Sequence, residues 1–229
     1  MGDINQLAYL KHWVPEARGP VLEIGSKDYG STSTFRDFYK GDEYVGLDMS
    51  EGKGVDAIVD LCKGVGTLPE SHFELGICCS VLEHVEKPWL FAANLTRLIR
   101  PGGRLYMSVP WVWRYHAYPD DYFRFSHRGV ISLFEEFAWS NVFYSSTVPG
   151  EFIELTDEDV GVDNKMAVLL DAGGGKQRKY LPYLMVNMLG TRRTAGASGW
   201  CASSSPPSRR CASPRLARPR TSRRRAIAC

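Results

Sequence analysis

Five short apolar runs, each closed by a polar or turn-forming residue, limit what this chain can fold into. Pro20-Val21-Leu22-Glu23-Ile24 stops at Gly25, Tyr44–Leu47 at Asp48, Ala57–Val59 at Asp60, Phe73–Cys79 at Ser80, and Leu105–Val109 at Pro110. Segments with helical spacing or short connectors lie between them. Apolar strands alternating with helices imply an α/β fold whose mostly parallel sheet is covered on both faces. In such a sheet, ligands bind at the carboxyl ends of the strands, beside the point where the strand order reverses. Gly25, Asp48, Asp60, Ser80 and Pro110 are therefore the positions to watch.

The remaining elements follow from periodicity and punctuation. Ile4, Leu7, Leu10, Trp13 and Val14 predict an amphipathic helix over 4–14, ended by Pro15 and Gly19-Pro20. Phe35, Phe38 and Tyr39 predict a second over 34–40, capped by Ser31 or Thr32 and stopped by Gly41. A third starts at Pro88, buries Phe91, Leu95, Leu98 and Ile99, and ends at Pro101-Gly102-Gly103. The connection 61–72 has room for about one turn. Residues 110–127 read as a long aromatic and charged loop. A helix is expected around Val130–Phe134 with Phe137 at its end, then strands at Trp139–Val148 and Met166–Asp171, and a short apolar helix over Tyr180–Leu189.

Charge divides the chain in two. The 229 residues carry 28 Lys and Arg against 26 Asp and Glu. Residues 191–229 hold ten Arg and no Asp, Glu or Lys, which leaves 1–190 at about −8. The expectation is one globular domain over 1–190 and a disordered, basic Arg/Ser/Pro/Ala-rich tail over 191–229. The tail also reads as an out-of-frame extension, in which case trimming at 190 leaves stability unchanged. An acidic domain argues against nucleic acid as substrate. No run reaches membrane-spanning length and no secretory signal is evident, so a cytoplasmic protein is expected. None of the six Cys forms a Cys-x-x-Cys pair, and Cys78 and Cys79 read as buried thiols on opposite faces of one strand.

The stretch 20–30 has the layout of a nucleotide-type ligand site, a strand, a glycine turn and a helix start. It has only Gly25 and Gly30, not Gly-x-Gly-x-x-Gly, and reads equally as an ordinary strand–turn–helix. Asp48 lies 23 residues after Gly25, an offset that suits a carboxylate accepting from a ribose diol. Asp48 and Asp60 can equally be caps or turn formers.

Taken together, Val21-Leu22-Glu23-Ile24-Gly25, Gly46-Leu47-Asp48, Ser80-Val81-Leu82-Glu83-His84-Val85 and Leu98-Ile99-Arg100-Pro101-Gly102-Gly103 resemble class I S-adenosylmethionine-dependent methyltransferases, in their small-molecule branch. The resemblance covers about 15–175. It implies a Rossmann-like three-layer sandwich with a seven-stranded sheet, the last strand antiparallel between the fifth and sixth. It also implies S-adenosyl-L-methionine as cofactor. Gly25 and Ser26, with Gly30 closing the turn, would pack on its methionine part and Asp48 would hold the ribose. Met49 would lie beside the adenine, Asp60 and Leu61 at the adenine edge, and Ser80 and Val81 beneath the sulfonium. Glu23 would organise the glycine turn. Lys27 stands where the family has its second glycine, so side chains such as Asp28 are expected to replace backbone contacts there.

The loop Pro110–Phe125 resembles a Pro-x-Asp-Tyr-x-Arg-Phe loop that borders the acceptor in one branch. In-line transfer of an activated methyl needs no metal, and a hydroxyl acceptor benefits from a base. His116, His84 and Asp121 are the candidate catalytic residues. Both histidines also read as scaffold, and Asp121 as an ion-pair partner of Arg124. The expected activity is methyl transfer to a small or medium acceptor, at oxygen. A nicotinamide-dependent oxidoreductase and a non-catalytic cofactor-binding module are the alternatives.

Overall fold

The computed structural model describes residues 4–30, 35–40, 43–117, 119–155 and 183–194. The order of elements is α1 (Ile4–Trp13), β1 (Val21–Ile24), β2 (Tyr44–Asp48), β3 (Ala57–Ile58), β4 (Phe73–Cys79), a 3-10 turn (Leu82–His84), α2 (Pro88–Leu98), β5 (Ile99–Val112), α3 (His127–Leu133), β6 (Phe137–Ser145), β7 (Phe152–Glu154) and β8 (Leu184–Arg192). They build one eight-stranded sheet in the order β3-β2-β1-β4-β5-β8-β6-β7. β1 pairs parallel with both β2 and β4, so the strand order reverses at β1 and β4. β8 runs antiparallel between β5 and β6, and β7 adds a short antiparallel edge beyond the seven strands expected.

Each face of the sheet carries its own core. Leu22, Leu47, Leu105 and Met107 pack with Phe91, Leu95 and Leu98 of α2 and Val130 of α3. On the other face Val21, Leu75, Ile77 and Tyr106 pack with Tyr9 and Leu10 of α1, Val14 and the Phe35–Tyr39 segment. Cys78 joins the first core and Cys79 borders the second, the opposite-face placement that alternation along a strand requires.

The face of α1 toward the sheet is partly polar. Asn5 is fully buried and donates to the carbonyls of Ser146 and Val148, while its side-chain oxygen accepts from Gly150 N–H at 2.8 Å. Gln6 donates to the hydroxyls of Ser80 (3.1 Å) and Ser108 (3.2 Å). One helical turn thus reaches both the carboxyl end of β4 and the segment after β6.

Several expectations are corrected. The segment 35–39 forms a turn, not a helix: the N–H groups of Phe38 and Tyr39 both reach the Phe35 carbonyl, at 2.9 and 3.2 Å. A stretch this short gains too few bonds to offset the cost of nucleating a helix. α2 ends at Leu98, not at Pro101-Gly102-Gly103, and these residues make an irregularity inside β5. The register there jumps from Phe73↔Ile99 to Leu75↔Arg104, and Gly102 takes φ +78°. Likewise Phe137 opens β6 instead of closing a helix. The expected strand Met166–Asp171 lies outside the described residues.

The largest correction falls in the run over 180–189, expected to be helical: from Leu184 on it belongs to the sheet's inserted strand β8. A strand paired on both edges and covered on both faces shows a continuous apolar run that does not alternate. Leu184, Met185, Val186, Met188 and Leu189 are buried, as is Asn187 among them. Asn187 Oδ1 accepts from Tyr106 Oη at 2.7 Å, and its Nδ2 donates to Ser145 Oγ at 2.8 Å. A polar link therefore runs across β5, β8 and β6.

β8 also continues past the boundary expected at 190. Thr191 pairs with Arg104 and Ala138, and Arg192 donates to the Ile99 carbonyl at 2.6 Å and to Glu136 Oε2 at 3.1 Å. Ending the chain after Gly190 removes these bonds, at a cost of about 2–4 kcal/mol. The melting temperature is expected to fall by roughly 5–10 °C. Ending it after Thr194 should leave the temperature where it is in the full chain.

Candidate active site

The glycine turn after β1 is packed beneath the turn after β4. Gly25 has φ +73°, and a Cβ built on it would stand 2.4 Å from Val81 Cγ2. Only glycine fits, for both the left-handed backbone and the space. Ser80, next to Val81, also has positive φ (54°), and its N–H bonds to the Ser108 carbonyl at 2.8 Å. Ser26 is buried, and its hydroxyl has no hydrogen-bond partner among the described residues.

Lys27, Asp28 and Tyr29 have their own work. Asp28 accepts from Gly30 N–H at 2.6 Å and from Lys53 Nζ at 2.7 Å, and its backbone N–H reaches the Lys53 carbonyl at 2.8 Å. Lys27 Nζ reaches Ser50 Oγ at 3.1 Å and lies over the Tyr29 ring. These residues clip the turn to the loop after β2, so the Asp28 carboxylate is spent within the protein. The hydrogen bonds from Lys53 and from Gly30 N–H hold it below the usual range. Gly54 makes the clip possible, since a Cβ there would stand 2.7 Å from the Ser26 carbonyl oxygen.

Asp48 ends β2 as expected. Its Oδ1 accepts from Ser50 N–H at 3.1 Å and Ser50 Oγ at 3.3 Å, and Oδ2 makes no hydrogen bond to the described residues. Met49 beside it is exposed. Asp60 is committed to a local turn, with Oδ1 accepting from Cys62 N–H at 2.9 Å and Oδ2 3.0 Å from Lys63 Nζ. Leu61 is buried and its carbonyl accepts from Asn94. Glu23 accepts from Tyr44 Oη at 2.7 Å, across to β2, rather than bonding the turn it was expected to organise.

On the other side of Val81, the 3-10 turn places Glu83 and His84 against the loop after β5. Glu83 is buried, and its carbonyl accepts the N–H groups of Tyr122 (2.8 Å) and Phe123 (3.2 Å). His84 Nδ1 lies 2.6 Å from the Asp120 carbonyl, and the His84 and His116 rings meet edge to face, 4.9 Å apart. Arg124 ties the loop together by donating to the carbonyls of Trp113, Arg114 and Phe123 and to both oxygens of Asp121, at 2.5 and 2.7 Å. The internal Asp121–Arg124 pair is thus present.

Charge at this cluster is set by burial and by Arg124. Burial pushes the Glu83 carboxyl up to about 8, against the pull of its own N–H and of Arg124. For Asp121 burial acts the same way, but the bonds from Arg124 and His116 N–H outweigh it and bring the carboxyl down to about 2. Burial lowers His84, which favours the neutral ring. Asp121 is a poor proton acceptor at this value, and it accepts from His116 N–H at 2.7 Å. Gln6 and Glu83 were missed as site-lining groups. Glu83 was visible only as part of Leu-Glu-His-Val, and Gln6 carried no signal beyond its place on α1.

Residues 22–107, from β1 into β5, match the family model described as "Methyltransferase domain". Solved structures agree on the architecture. A putative methyltransferase from Bacillus halodurans superposes with TM-score 0.56 at 11% identity, covering 83% of this chain and 99% of that one. A possible histamine N-methyltransferase from Thermotoga maritima gives 0.54 at 16% identity, covering 84% and 90%. The 1,6-didemethyltoxoflavin N1-methyltransferase of Burkholderia thailandensis, solved with 1,6-didemethyltoxoflavin and S-adenosylhomocysteine, gives 0.52 at 16%, covering 82% and 76%. The fold is that of the S-adenosylmethionine-dependent methyltransferases. Domain match and fold together support a methyltransferase with S-adenosylmethionine as its cofactor. No curated protein matches the sequence. Among the described residues, no helix is long and apolar enough to cross a membrane.

The residues present fit that cofactor. The buried Ser26 hydroxyl and Asp48 Oδ2, both without a partner among the described residues, and the side-chain-free backbone of Gly25 lie along the carboxyl ends of β1 and β2, where a cofactor can approach the main chain.

Glu23 gives this half of the molecule a pH dependence. Burial raises its carboxyl to about 7, with the Tyr44 hydrogen bond opposing. The folded state therefore keeps a proton that the unfolded chain releases near its ordinary value of 4.5. Stability contributed here is full below about 4.5, is lost as pH rises toward 7, and is flat above. From pH 5 to 8 this loss is about 2–3 kcal/mol. Glu23→Gln keeps an acceptor for Tyr44 and should remove that loss, so urea melts of the two proteins at pH 5 and pH 8 are expected to converge at low pH and separate at high pH, with the variant more stable.

Proposed function

We propose that this protein transfers a methyl group from S-adenosylmethionine to an oxygen of a small or medium acceptor. The observation that carries the reading is the close packing of Gly25 on Val81, which sets the glycine turn after β1 directly beside a buried carboxyl group and two imidazoles. Gly25 and Ser26 hold the methionine part, with Gly30 closing the turn. Asp48 accepts from the ribose hydroxyls through Oδ2, Met49 covers the adenine, and Asp60 and Leu61 border it. Ser80, Val81 and Gln6 line the floor beneath the sulfonium. When bound, the cofactor supplies a methyl carbon activated toward in-line attack.

The protein's part is orientation, which is worth up to about 7–11 kcal/mol. Aromatic side chains of the loop after β5, Tyr115, Tyr122 and Phe123, are exposed and suit a planar or sugar-like acceptor. The Nε2 atoms of His84 and His116 face Glu83 and supply lone pairs that can accept a hydroxyl proton. Asp121 and Arg124 hold His116 in place. The net negative charge of residues 1–190 favours a small molecule over nucleic acid. N-methyltransferases among the structural neighbours speak to fold, not to the methylated atom.

Two measurements test this. Asp48→Ala should weaken S-adenosylhomocysteine binding by about 2–3 kcal/mol, because charged acceptors contribute that much per bond; calorimetry showing no change refutes the ribose role. For the acceptor side, Asp121→Asn is expected to slow turnover on a found acceptor roughly 10²-fold while leaving cofactor affinity within twofold. Loss of affinity with the rate unaffected would place Asp121 on the donor side instead.

A further inference from the structure

Glu83, His84 and His116 meet with the atoms and the orientations of a metal site. One ligand atom from each lies within 4.8 Å of the other two. Glu83 Oε1 stands 3.8 Å from His84 Nε2 and 3.9 Å from His116 Nε2, too far for hydrogen bonds. Glu83 is only 1% exposed, and its Oε2 has no hydrogen-bond partner among the described residues. Arg124 lies close enough to influence it, but that guanidinium is already bound to both oxygens of Asp121. Burial favours the neutral acid at this position, and a cation that shares the charge lets the carboxylate form.

The imidazoles are set for the same occupant. His84 Nδ1 points at the Asp120 carbonyl, 2.6 Å away, and His116 Nδ1 at the Arg114 carbonyl, 3.2 Å, and Asp121 Oδ2, 3.3 Å. A carbonyl only accepts, so each ring carries its proton on Nδ1 and presents the bare Nε2 to Glu83. Metal-bound histidines stand this way, with the outer nitrogen fixed by a carbonyl or carboxylate. Glu83 presents Oε1 to both Nε2 atoms, and its other oxygen, Oε2, is buried without a partner among the described residues; a cation held by this carboxylate accounts for both.

We propose that Glu83, His84 and His116 bind one divalent transition-metal ion. Two neutral imidazoles and one carboxylate favour zinc, cobalt or iron over magnesium and calcium. Ligand bonds of about 2.0–2.2 Å put neighbouring ligands of a tetrahedral ion roughly 3.3–3.6 Å apart. The separations here are slightly larger, a difference that rotation of the three side chains closes. Three protein ligands leave a position open beside the loop after β5, where an oxygen of a bound molecule can coordinate. That use rests on the methyl-transfer reading; binding of the ion does not. A lone pair that holds a metal cannot take a proton, so in the loaded protein the acceptor oxygen meets the ion instead of a histidine base.

The test uses the full chain with Cys201, Cys211 and Cys229 changed to Ser, which keeps tail thiols out of the stoichiometry. After stripping with EDTA, it is titrated calorimetrically with zinc, cobalt and magnesium chlorides. Expected are one zinc or cobalt per chain with a dissociation constant in the micromolar range or tighter, no magnesium binding, and a cobalt spectrum without thiolate charge transfer. Glu83→Gln and His116→Ala should each weaken zinc at least tenfold. Glu83 is buried and its variant can fail to fold, whereas His116 lies in a loop with its side chain 25% exposed and carries the test alone if necessary. No saturable zinc or cobalt binding, or binding unaffected by His116→Ala in a folded protein, overturns the site. S-adenosylhomocysteine is titrated into the same sample. Binding of it without zinc overturns the metal site alone, and zinc without it overturns the donor reading and leaves the metal site standing.

Discussion

Everything at the carboxyl end of this sheet depends on the absence of one side chain, at Gly25. Because nothing projects from that Cα, Val81 can sit against it, and the turn after β1 and the turn after β4 share one floor. The turn after β1 is then fixed relative to Glu83 and His84 through covalent steps of two and three residues from Val81. A wider gap would be bridged by mobile side chains, and the alignment that in-line transfer depends on would be lost.

The loop after β5 is held by charge where the turn after β1 is held by close packing. Arg124 gathers the carbonyls of Trp113, Arg114 and Phe123 and the Asp121 carboxylate, and so adds to the backbone bonds that Glu83 makes to Tyr122 and Phe123. The planar fork of five donors suits this task in a way that lysine would not. Asp121, kept ionised by those bonds, is a poor proton acceptor and is tied to the His116 backbone.

Much of this could be read from the chain alone, and the misses have causes. Strands β1, β2 and β4 were legible because each is a short apolar run with a hard stop, and Asp48 stood at the stop. β8 was not, since full burial erases the alternation that tells a strand from a helix, and only pairing on both edges decided it. The turn at 35–39 shows the reverse case: the apolar spacing of Phe35, Phe38 and Tyr39 was right, but the segment was too short to use it. At the site, the sequence marked His84 and His116 separately. Their convergence on Glu83 depends on the loop after β5 folding back over the 3-10 turn, and no local pattern encodes that.

The placement of β8 has a consequence for how the molecule is made. Strands β5 and β6 are adjacent in sequence but are joined only through β8, which begins 39 residues after β6 ends. During synthesis at 5–20 residues per second, β5 waits with a bare, apolar edge for roughly 2–8 s after β6 has emerged. Such an edge is a template for pairing with the wrong strand. The nascent chain is therefore most exposed to misassembly in that interval, and Pro110, which has no N–H to offer near the end of β5, shortens the edge available to a stranger.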